Sequence, residues 1–267
     1  ATTEIYTLSL HDALPISITP RTKAILPVHL YGLPCDMPAI TALGQKHQLL
    51  IIEDNAQAQG AEISGKRTGS WGHINAHSFY PTKNLGAFGE AGAVTTDVPQ
   101  LDEQIRLLRN YGSATKYINE VIGYNYRMDE CQAAMLRIKL QHLDNWNAAR
   151  RQLADGYRQR LSGILGLYLP AEPADCMPVY HLFVVQCEAR EPLQHYLAQR
   201  GIQTLVHYPV PPHLQEAYRY LGFQNGDFPV AEYLSRTALS LPLYPGLEER
   251  QLDYVCEAIR EFFRKGS

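Results

Sequence analysis

Two short apolar runs flank a segment with helical spacing near the start of the chain. The first run, KAILPVHLY, covers Lys23 to Tyr31, and the second covers Leu49 to Ile52. Between them, Met37 to His47 has helical periodicity. Runs that are apolar throughout are typical of strands covered on both faces. We therefore predict an α/β fold with a mostly parallel sheet and helices on each side.

Further elements are predicted along the chain. Short extended segments are expected at His77 to Lys83 and Gly92 to Thr96, and a helix at Gln100 to Asn110. From Asp129 to about Leu161 the pattern is helical without proline, as in a long helix that joins two domains. The remaining predictions are strands at Val179 to Gln186 and Ile202 to Val206, and helices at Pro192 to Gln199 and Glu248 to Phe263.

Three regions are expected along the chain. Residues 1–17 contain TLSLHDALPI, which matches the translation of a common short-read sequencing adapter and is expected to be non-native. The alternative is an amphipathic docking segment carrying Leu8, Leu10 and Leu14. Residues 18–149 are expected to form a partial large domain with the connecting helix, and residues 150–267 a small carboxyl-terminal α+β domain.

Composition argues against two kinds of partner. Across 267 residues the net charge is −3, and Lys and Arg do not cluster into a basic stretch, so nucleic acid is not expected. No apolar run approaches the roughly 20 residues that cross a bilayer, and no secretory pattern opens the chain. We expect no membrane association and a cytoplasmic location.

Cysteines and histidines give no sign of a metal site. The five cysteines are odd in number, widely spaced and never in a C-x-x-C pair, so we expect reduced thiols, mostly in the interior. His29, His73, His77 and His181 lack paired spacing with acids or thiols, which is typical of surface or packing positions.

The segment from Asp54 to Lys83 carries a carboxylate, a hydroxyl and an amine. Asp54 ends the second apolar run, at the edge where open parallel sheets bind ligands. Ser78 precedes Lys83, which lies in a turn with glycines at 86 and 89. Pyridoxal phosphate requires such a lysine, an acid opposite its ring nitrogen and donors for its phosphate. Each residue also has a plain structural interpretation, as a cap, a solvated lysine or a satisfied hydroxyl.

Four motifs occur in order: EDNAQAQGA, HSFYPTKNLGAFGEAGAVTTD, RNYG and GYNYRMDECQAAMLRIKL. From about Ile18 to its end, the chain resembles the DegT/DnrJ/EryC1/StrS family of sugar aminotransferases. The resemblance implies an aspartate-aminotransferase-type fold (fold type I) and pyridoxal 5'-phosphate as cofactor. It also implies transfer of an amino group from glutamate to a nucleotide-linked keto sugar.

The resemblance assigns roles to individual residues. Lys83 would bind the cofactor covalently, Asp54 would pair with the pyridine nitrogen, and Gln57 would contact the ring hydroxyl. Ser78 would bind the phosphate, and Asn125 would reach the phosphate of the neighbouring subunit's cofactor. The last role implies a homodimer with shared active sites.

Two departures from the family pattern stand out. Where the family reads G-[DE]-G-G, this chain has Ala91 in the third position, which costs about 1 kcal/mol if a positive φ is required there. Ahead of the matching region the family carries a Ser-Gly-Thr phosphate loop and an aromatic that stacks on the pyridine ring, and neither is found here. An inactive truncated fragment that binds no cofactor is therefore one alternative.

The substrate is indicated by similarity alone. RNYGSATKY and VHYPVPPHLQEAY look more like the branch that aminates position 3 of dTDP-3-keto-6-deoxyhexoses than the branch acting at position 4. His207 and Tyr208 are then candidates for the sugar side, or equally part of a packed loop. The family's dehydratases carry His where Lys83 stands, so Lys83 favours transamination. A nicotinamide dehydrogenase is not favoured, because GAFGEAG lies beside a lysine rather than between a first strand and helix.

Overall fold

The computed structural model describes residues 18–265. The adapter-like stretch, residues 1–17, lies outside the described residues. The described chain falls into two compact units. The amino-terminal unit comprises residues 18–148 and 172–181, and the carboxyl-terminal unit comprises 149–171 and 182–265. The domain boundary expected near residue 150 stays a prediction.

The amino-terminal unit contains a mostly parallel sheet. Its strands are β1 (Ala24–Ile25), β2 (Leu50–Asp54), β5 (Ile74–Ser78) and β6 (Gly92–Thr95), in the spatial order β1-β2-β5-β6. β2 runs parallel to both β1 and β5, whereas β6 is antiparallel to β5. A second, antiparallel sheet has the order β4-β3-β7 and consists of β3 (Glu62–Ile63), β4 (Lys66–Arg67) and β7 (Cys176–Met177).

The first helix forms as the sequence pattern predicts. α1 (Met37–His47) begins at Asp36, whose Oδ1 accepts a hydrogen bond from Ala39 N at 3.0 Å. Its buried face, with Met37 and Ile40, packs in a core cluster with Ile25 of β1 and Ile51 of β2. The strand, helix, strand unit is thus held together by one continuous apolar core.

The predicted long helix is interrupted in the structure. After α2 (Pro99–Leu108), the chain forms α3 (Glu130–Leu140) and α4 (Leu143–Leu161), with a turn at Gln141 and His142. In that turn, His142 N donates to Lys139 O at 3.0 Å. This bond spans three residues, as in a 3₁₀-helix, whereas an α-helical bond spans four. Neither residue is proline or glycine, so the sequence carries no conventional signal for the break.

The carboxyl-terminal unit has an α+β architecture. Its elements are β8 (Phe183–Gln186), α5 (Arg190–Ala198), 3₁₀ turns at Pro212–Leu214 and Glu216–Leu221, α6 (Pro229–Thr237), β9 (Ala238–Leu241) and α7 (Glu249–Lys265), together with α4 from residue 149. β8 and β9 pair antiparallel. The strand predicted at 202–206 reduces to one bridge between Leu205 and Ser240. None of the helices within residues 18–265 is both long and apolar enough to cross a bilayer.

A buried aromatic pair anchors this unit. The rings of Tyr157 and Phe183 stack with their centroids 4.9 Å apart, and both residues are fully buried. The Tyr157 hydroxyl donates to Pro242 O at 2.7 Å. The stack joins α4 to β8, and the hydrogen bond joins α4 to the residue that follows β9.

Replacing Tyr157 with Phe should destabilise the protein by about 1–2 kcal/mol, because the Pro242 carbonyl loses its buried donor. The free energy of unfolding in urea is the measurement. Tyr220→Phe is the matched control, because this side chain is 78% exposed, and it should change stability by no more than about 0.5 kcal/mol. Equal stability of the Tyr157→Phe variant and the unsubstituted chain would contradict this account.

Candidate active site

Asp54 is the last residue of β2, at the carboxyl edge of the parallel strands. Its backbone is held from one side, because Asp54 N donates to Pro27 O at 2.9 Å and His29 N donates to Asp54 O at 3.1 Å. The Oδ1 atom accepts a hydrogen bond from Ala56 N at 3.0 Å. The carboxylate therefore stands on a backbone with little freedom to move.

Lys83 lies in the turn that follows β5, and it is half-buried. The backbone N–H of Lys83 donates to Tyr80 O at 2.8 Å. Ala87 N donates to Phe79 O at 2.7 Å and closes the turn. At Gly86 a Cβ atom would lie 2.4 Å from Pro81 O, so only glycine fits there. The turn that carries the amine is thus tightly packed.

Burial lowers the pKa of the Lys83 amine, and the negative charge of Asp54 acts in the opposite direction and raises it. The two side chains therefore lie close enough to interact electrostatically. A lysine with a lowered pKa has a larger neutral fraction near pH 7, and the neutral amine is the nucleophile that covalent catalysis needs.

Ser78 lies at the same sheet edge as Asp54. It ends β5, which pairs in parallel with β2 so that Asp54 is opposite Ala76. The Ser78 hydroxyl oxygen accepts a hydrogen bond from Tyr80 N at 3.3 Å. The structure thus brings three of the predicted residues, Asp54, Ser78 and Lys83, to one region of the amino-terminal unit.

Gln57 is buried after the β2 edge, with its side chain tied to the backbone. Its Oε1 accepts a hydrogen bond from Tyr31 N at 2.6 Å. The nearby Gln59, which sequence reasoning missed, donates from Nε2 to Ser78 O at 2.6 Å and to Ala56 O at 3.1 Å. Its buried Oε1 accepts no hydrogen bond from the described residues. Gln59 thereby connects the Asp54 loop to the strand end that carries Ser78.

Asn125 occupies an exposed loop rather than the sheet edge. Its Oδ1 accepts a hydrogen bond from Arg127 Nε at 3.1 Å, and its backbone bridges Asn110. The rings of its neighbours Tyr124 and Tyr126 stack 5.0 Å apart. The side chain and the backbone of Asn125 are therefore held by contacts with Arg127 and Asn110.

His207 and Tyr208 belong to the carboxyl-terminal unit. The His207 Nδ1 atom is 2.8 Å from Ser240 Oγ, and burial lowers the pKa of this imidazole. The two rings are nearly perpendicular, with centroids 5.3 Å apart. The imidazole is thus anchored to β9 through Ser240.

Ala91 carries no backbone strain, because it is not among the residues with a positive φ. Its carbonyl accepts a hydrogen bond from Phe79 N at 2.8 Å, and its methyl group packs against the cluster of Leu85, Ala87 and Leu136. Because φ is not positive here, the replacement of the family's glycine by Ala91 costs no free energy through backbone strain.

Sequence reasoning also missed the pair formed by Glu53 and His29. Both side chains are fully buried, and His29 Nε2 lies 2.8 Å from Glu53 Oε2. One signal was available, since Glu53 is the charged residue directly before Asp54 and alternation along a strand places the two on opposite faces.

A family model described as the DegT/DnrJ/EryC1/StrS aminotransferase family matches residues 5–260. The chain belongs to this family. The expected family and the expected fold class are thereby confirmed.

Two curated relatives are 52% identical to this chain. The dTDP-3-amino-3,4,6-trideoxy-alpha-D-glucose transaminase of Streptomyces venezuelae aligns over 92% of this chain and 65% of its own length. The Erythromycin biosynthesis sensory transduction protein EryC1 of Saccharopolyspora erythraea aligns over 91% and 67%. The crystal structure of S. venezuelae DesV in complex with a ketimine intermediate is also 52% identical, with a TM-score of 0.90 over 92% of this chain and 66% of that one. The chain therefore spans about two thirds of the length of these relatives.

Members of the DegT/DnrJ/EryC1/StrS family depend on pyridoxal phosphate. The residues at the β2 and β5 edge fit this cofactor in their chemistry. They offer an amine of lowered pKa, a carboxylate at a strand end and a hydroxyl. Gln59 Oε1 adds a buried acceptor that has no protein donor among the described residues.

The Lys83 amine should titrate at lower pH than a free lysine side chain, because burial disfavours its charged form. Trace acetylation across a pH series, read by peptide mass spectrometry against N-acetyl-lysine amide, gives its midpoint. Asp54→Asn should lower that midpoint further, since it removes the charge that raises the pKa. Asp97→Asn, an exposed exchange of the same kind, should leave it unchanged. A Lys83 midpoint equal to that of the free amine would contradict the assignment.

Proposed function

We propose that the protein acts as a pyridoxal-phosphate-dependent aminotransferase. It transfers an amino group from glutamate to a nucleotide-linked keto sugar, namely a dTDP-3-keto-6-deoxyhexose. The observation that carries the proposal is the Lys83 amine, whose pKa is lowered by burial within the field of the Asp54 carboxylate. Family membership supports the reaction type.

The residues of this chain divide the work of the reaction. Bound pyridoxal phosphate supplies an electron sink for the bond-breaking step at the amino donor. The Asp54 carboxylate holds a proton on the pyridine nitrogen. With the cofactor bound, the Lys83 amine would carry the proton, as a base at the α-carbon of the donor and as an acid at C4′ of the cofactor. Ser78 donates its hydroxyl to the phosphate, and Gln57 contacts the ring hydroxyl.

The sugar assignment rests on similarity and on the carboxyl-terminal unit. The name of the S. venezuelae relative specifies a 3-amino sugar linked to dTDP. The half-buried His207 has a lowered pKa, so it stays neutral at pH 7 and can exchange hydrogen bonds with sugar hydroxyls. Its neighbour Tyr208 is exposed. The alternative is that His207 and Tyr208 are part of a packed loop, and the contact between His207 and Ser240 is consistent with it.

A dehydratase is the second candidate reaction. The family's dehydratases carry histidine at the position of Lys83, so the lysine in this chain favours transamination. An inactive fragment that binds no cofactor is the third candidate, and the cofactor experiment below separates it from the first.

The cytoplasm is the proposed location. All five cysteines are free thiols, as expected in a reducing compartment. Burial raises the pKa of both Cys35 and Cys256 to about 12, so these thiols stay protonated and unreactive.

Pyridoxal phosphate added to the purified chain should attach to Lys83. After borohydride reduction, peptide mass spectrometry should find the modification at Lys83, and the visible absorption band of the bound cofactor should disappear in Lys83→Ala. Lys46→Ala is the matched control, because this exposed lysine lies in α1, and the band should persist. Modification at another lysine would overturn the Lys83 assignment, and no modification at all would support the inactive fragment.

We also propose that the enzyme is a homodimer with shared active sites. The loop over residues 111–126 exposes apolar side chains, with Tyr117 87%, Ile122 91% and Tyr126 71% exposed. Several exposed apolar side chains in one loop are typical of an interaction surface. Asn125 lies within the loop, where it could reach the phosphate of the partner's cofactor.

Ile122→Asp should weaken the dimer, because it places a charge in an apolar interface. Sedimentation velocity over a concentration series should then show a larger monomer fraction than for the unsubstituted chain. Leu165→Asp is the matched control, since Leu165 is 94% exposed in the other unit, and it should not change the distribution. A chain that is monomeric at every concentration would refute the dimer.

A further inference from the structure

Glu53 is a fully buried carboxylate whose oxygens accept hydrogen bonds from four donors. Its Oε2 accepts from His29 Nε2 and from Gly69 N, each at 2.8 Å. Its Oε1 accepts from Trp71 N at 2.5 Å and from Gly72 N at 2.6 Å. Three of the four donors are backbone N–H groups of a single loop, so one side chain fixes that loop to β2.

His29 takes part as a neutral imidazole. Its Nδ1 accepts a hydrogen bond from Cys35 N at 3.0 Å, so the ring proton is on Nε2 and points to Glu53. Burial acts to raise the pKa of Glu53, but the hydrogen bonds from His29, Gly69 and Gly72 outweigh it and the pKa lies below its ordinary value. The carboxylate is therefore ionised at neutral pH.

The same contacts surround the backbone of Asp54. His29 uses its side chain to bind Glu53 and its N–H to bind Asp54 O. On the other side, Asn55 N donates to Ala76 O at 2.9 Å, which joins the end of β2 to β5. Glu53 therefore ties the segment after β1, through His29, to β2 and the 69–72 loop, one residue before the Asp54 carboxylate.

We propose that Glu53 is a positioning residue, which with His29 holds the Asp54 carboxylate in its place relative to Lys83. The proposal deepens the proposed function and rests on it for the reason why this placement matters. The competing interpretation is that Glu53 merely stabilises the fold.

A double-mutant cycle on the Lys83 titration separates the two interpretations. Glu53→Gln keeps the side-chain volume but turns an amide NH₂ toward backbone N–H donors. If Glu53 positions Asp54, this variant lowers the Lys83 midpoint by at least half the shift that Asp54→Asn causes. In the Asp54→Asn background, Glu53→Gln then adds no further shift. His29→Gln should behave in the same way with a smaller effect.

Equal shifts in both backgrounds would mean that the Glu53 charge acts on Lys83 directly, and no shift would mean a structural role. Either result overturns the proposal. Glu62→Gln is the matched control, since Glu62 pairs with the exposed Arg67 across β3 and β4, with Arg67 Nε 3.4 Å from Glu62 Oε1, and it should leave the midpoint unchanged.

A measurement on the unsubstituted chain covers the case in which Glu53→Gln does not fold. The amide hydrogens of Gly69, Trp71 and Gly72 should exchange slowly with deuterium although they lie in a loop, and unprotected rates would overturn the proposal. The titration and the exchange rates require no cofactor. Failure of cofactor attachment at Lys83 would therefore refute the proposed function while leaving the positioning role intact.

Discussion

The buried Glu53 carboxylate is the interaction on which the arrangement of the candidate site depends. Removing a carboxylate from water costs several kcal/mol unless its oxygens find donors, and the loop N–H groups would be equally costly to bury without acceptors. In this chain each requirement satisfies the other, because three backbone N–H groups and His29 all point to Glu53. Gly69 adopts φ +79°, and a Cβ there would lie 2.5 Å from the His77 ring, so glycine is required where the loop turns. The strand end and the loop are consequently fixed together.

Because side chains alternate along a strand, the consecutive residues Glu53 and Asp54 lie on opposite faces of β2. Glu53 points to the face where it is fully buried, whereas Asp54 points to the other face and remains half-buried. Lys83 stands on a turn closed by its own backbone bonds and by the close approach of Gly86 to Pro81. Carboxylate and amine are thus both carried by backbone that cannot relax easily, and such preorganisation keeps the reorganisation cost of a polar reaction low.

The sequence predicted the parts of this arrangement that are local in the chain. Apolar runs on either side of Met37–His47 identified β1, α1 and β2, and the motif around Lys83 identified the candidate amine. The pair of His29 and Glu53 escaped notice, because 24 residues separate them and their meeting depends on β1 lying beside β2. The break at Gln141 was missed because no proline or glycine marks it, and β9 because a four-residue strand has little pattern to show. Tertiary pairing, rather than local propensity, decides such elements.

The same contrast explains why the reaction type is easier to read from this chain than the substrate. The groups that would meet the cofactor, from Asp54 to Lys83, lie within one short stretch whose spacing is dictated by two neighbouring strands and a turn. A cofactor of fixed shape constrains the distances between the groups that bind it, so a motif of this kind is specific. His207 and Tyr208 instead lie in a loop of the other compact unit, where Ser240 anchors the imidazole. Loops can change their contacts without disturbing a strand register, and substrate choice in one family can therefore vary while the cofactor chemistry stays the same.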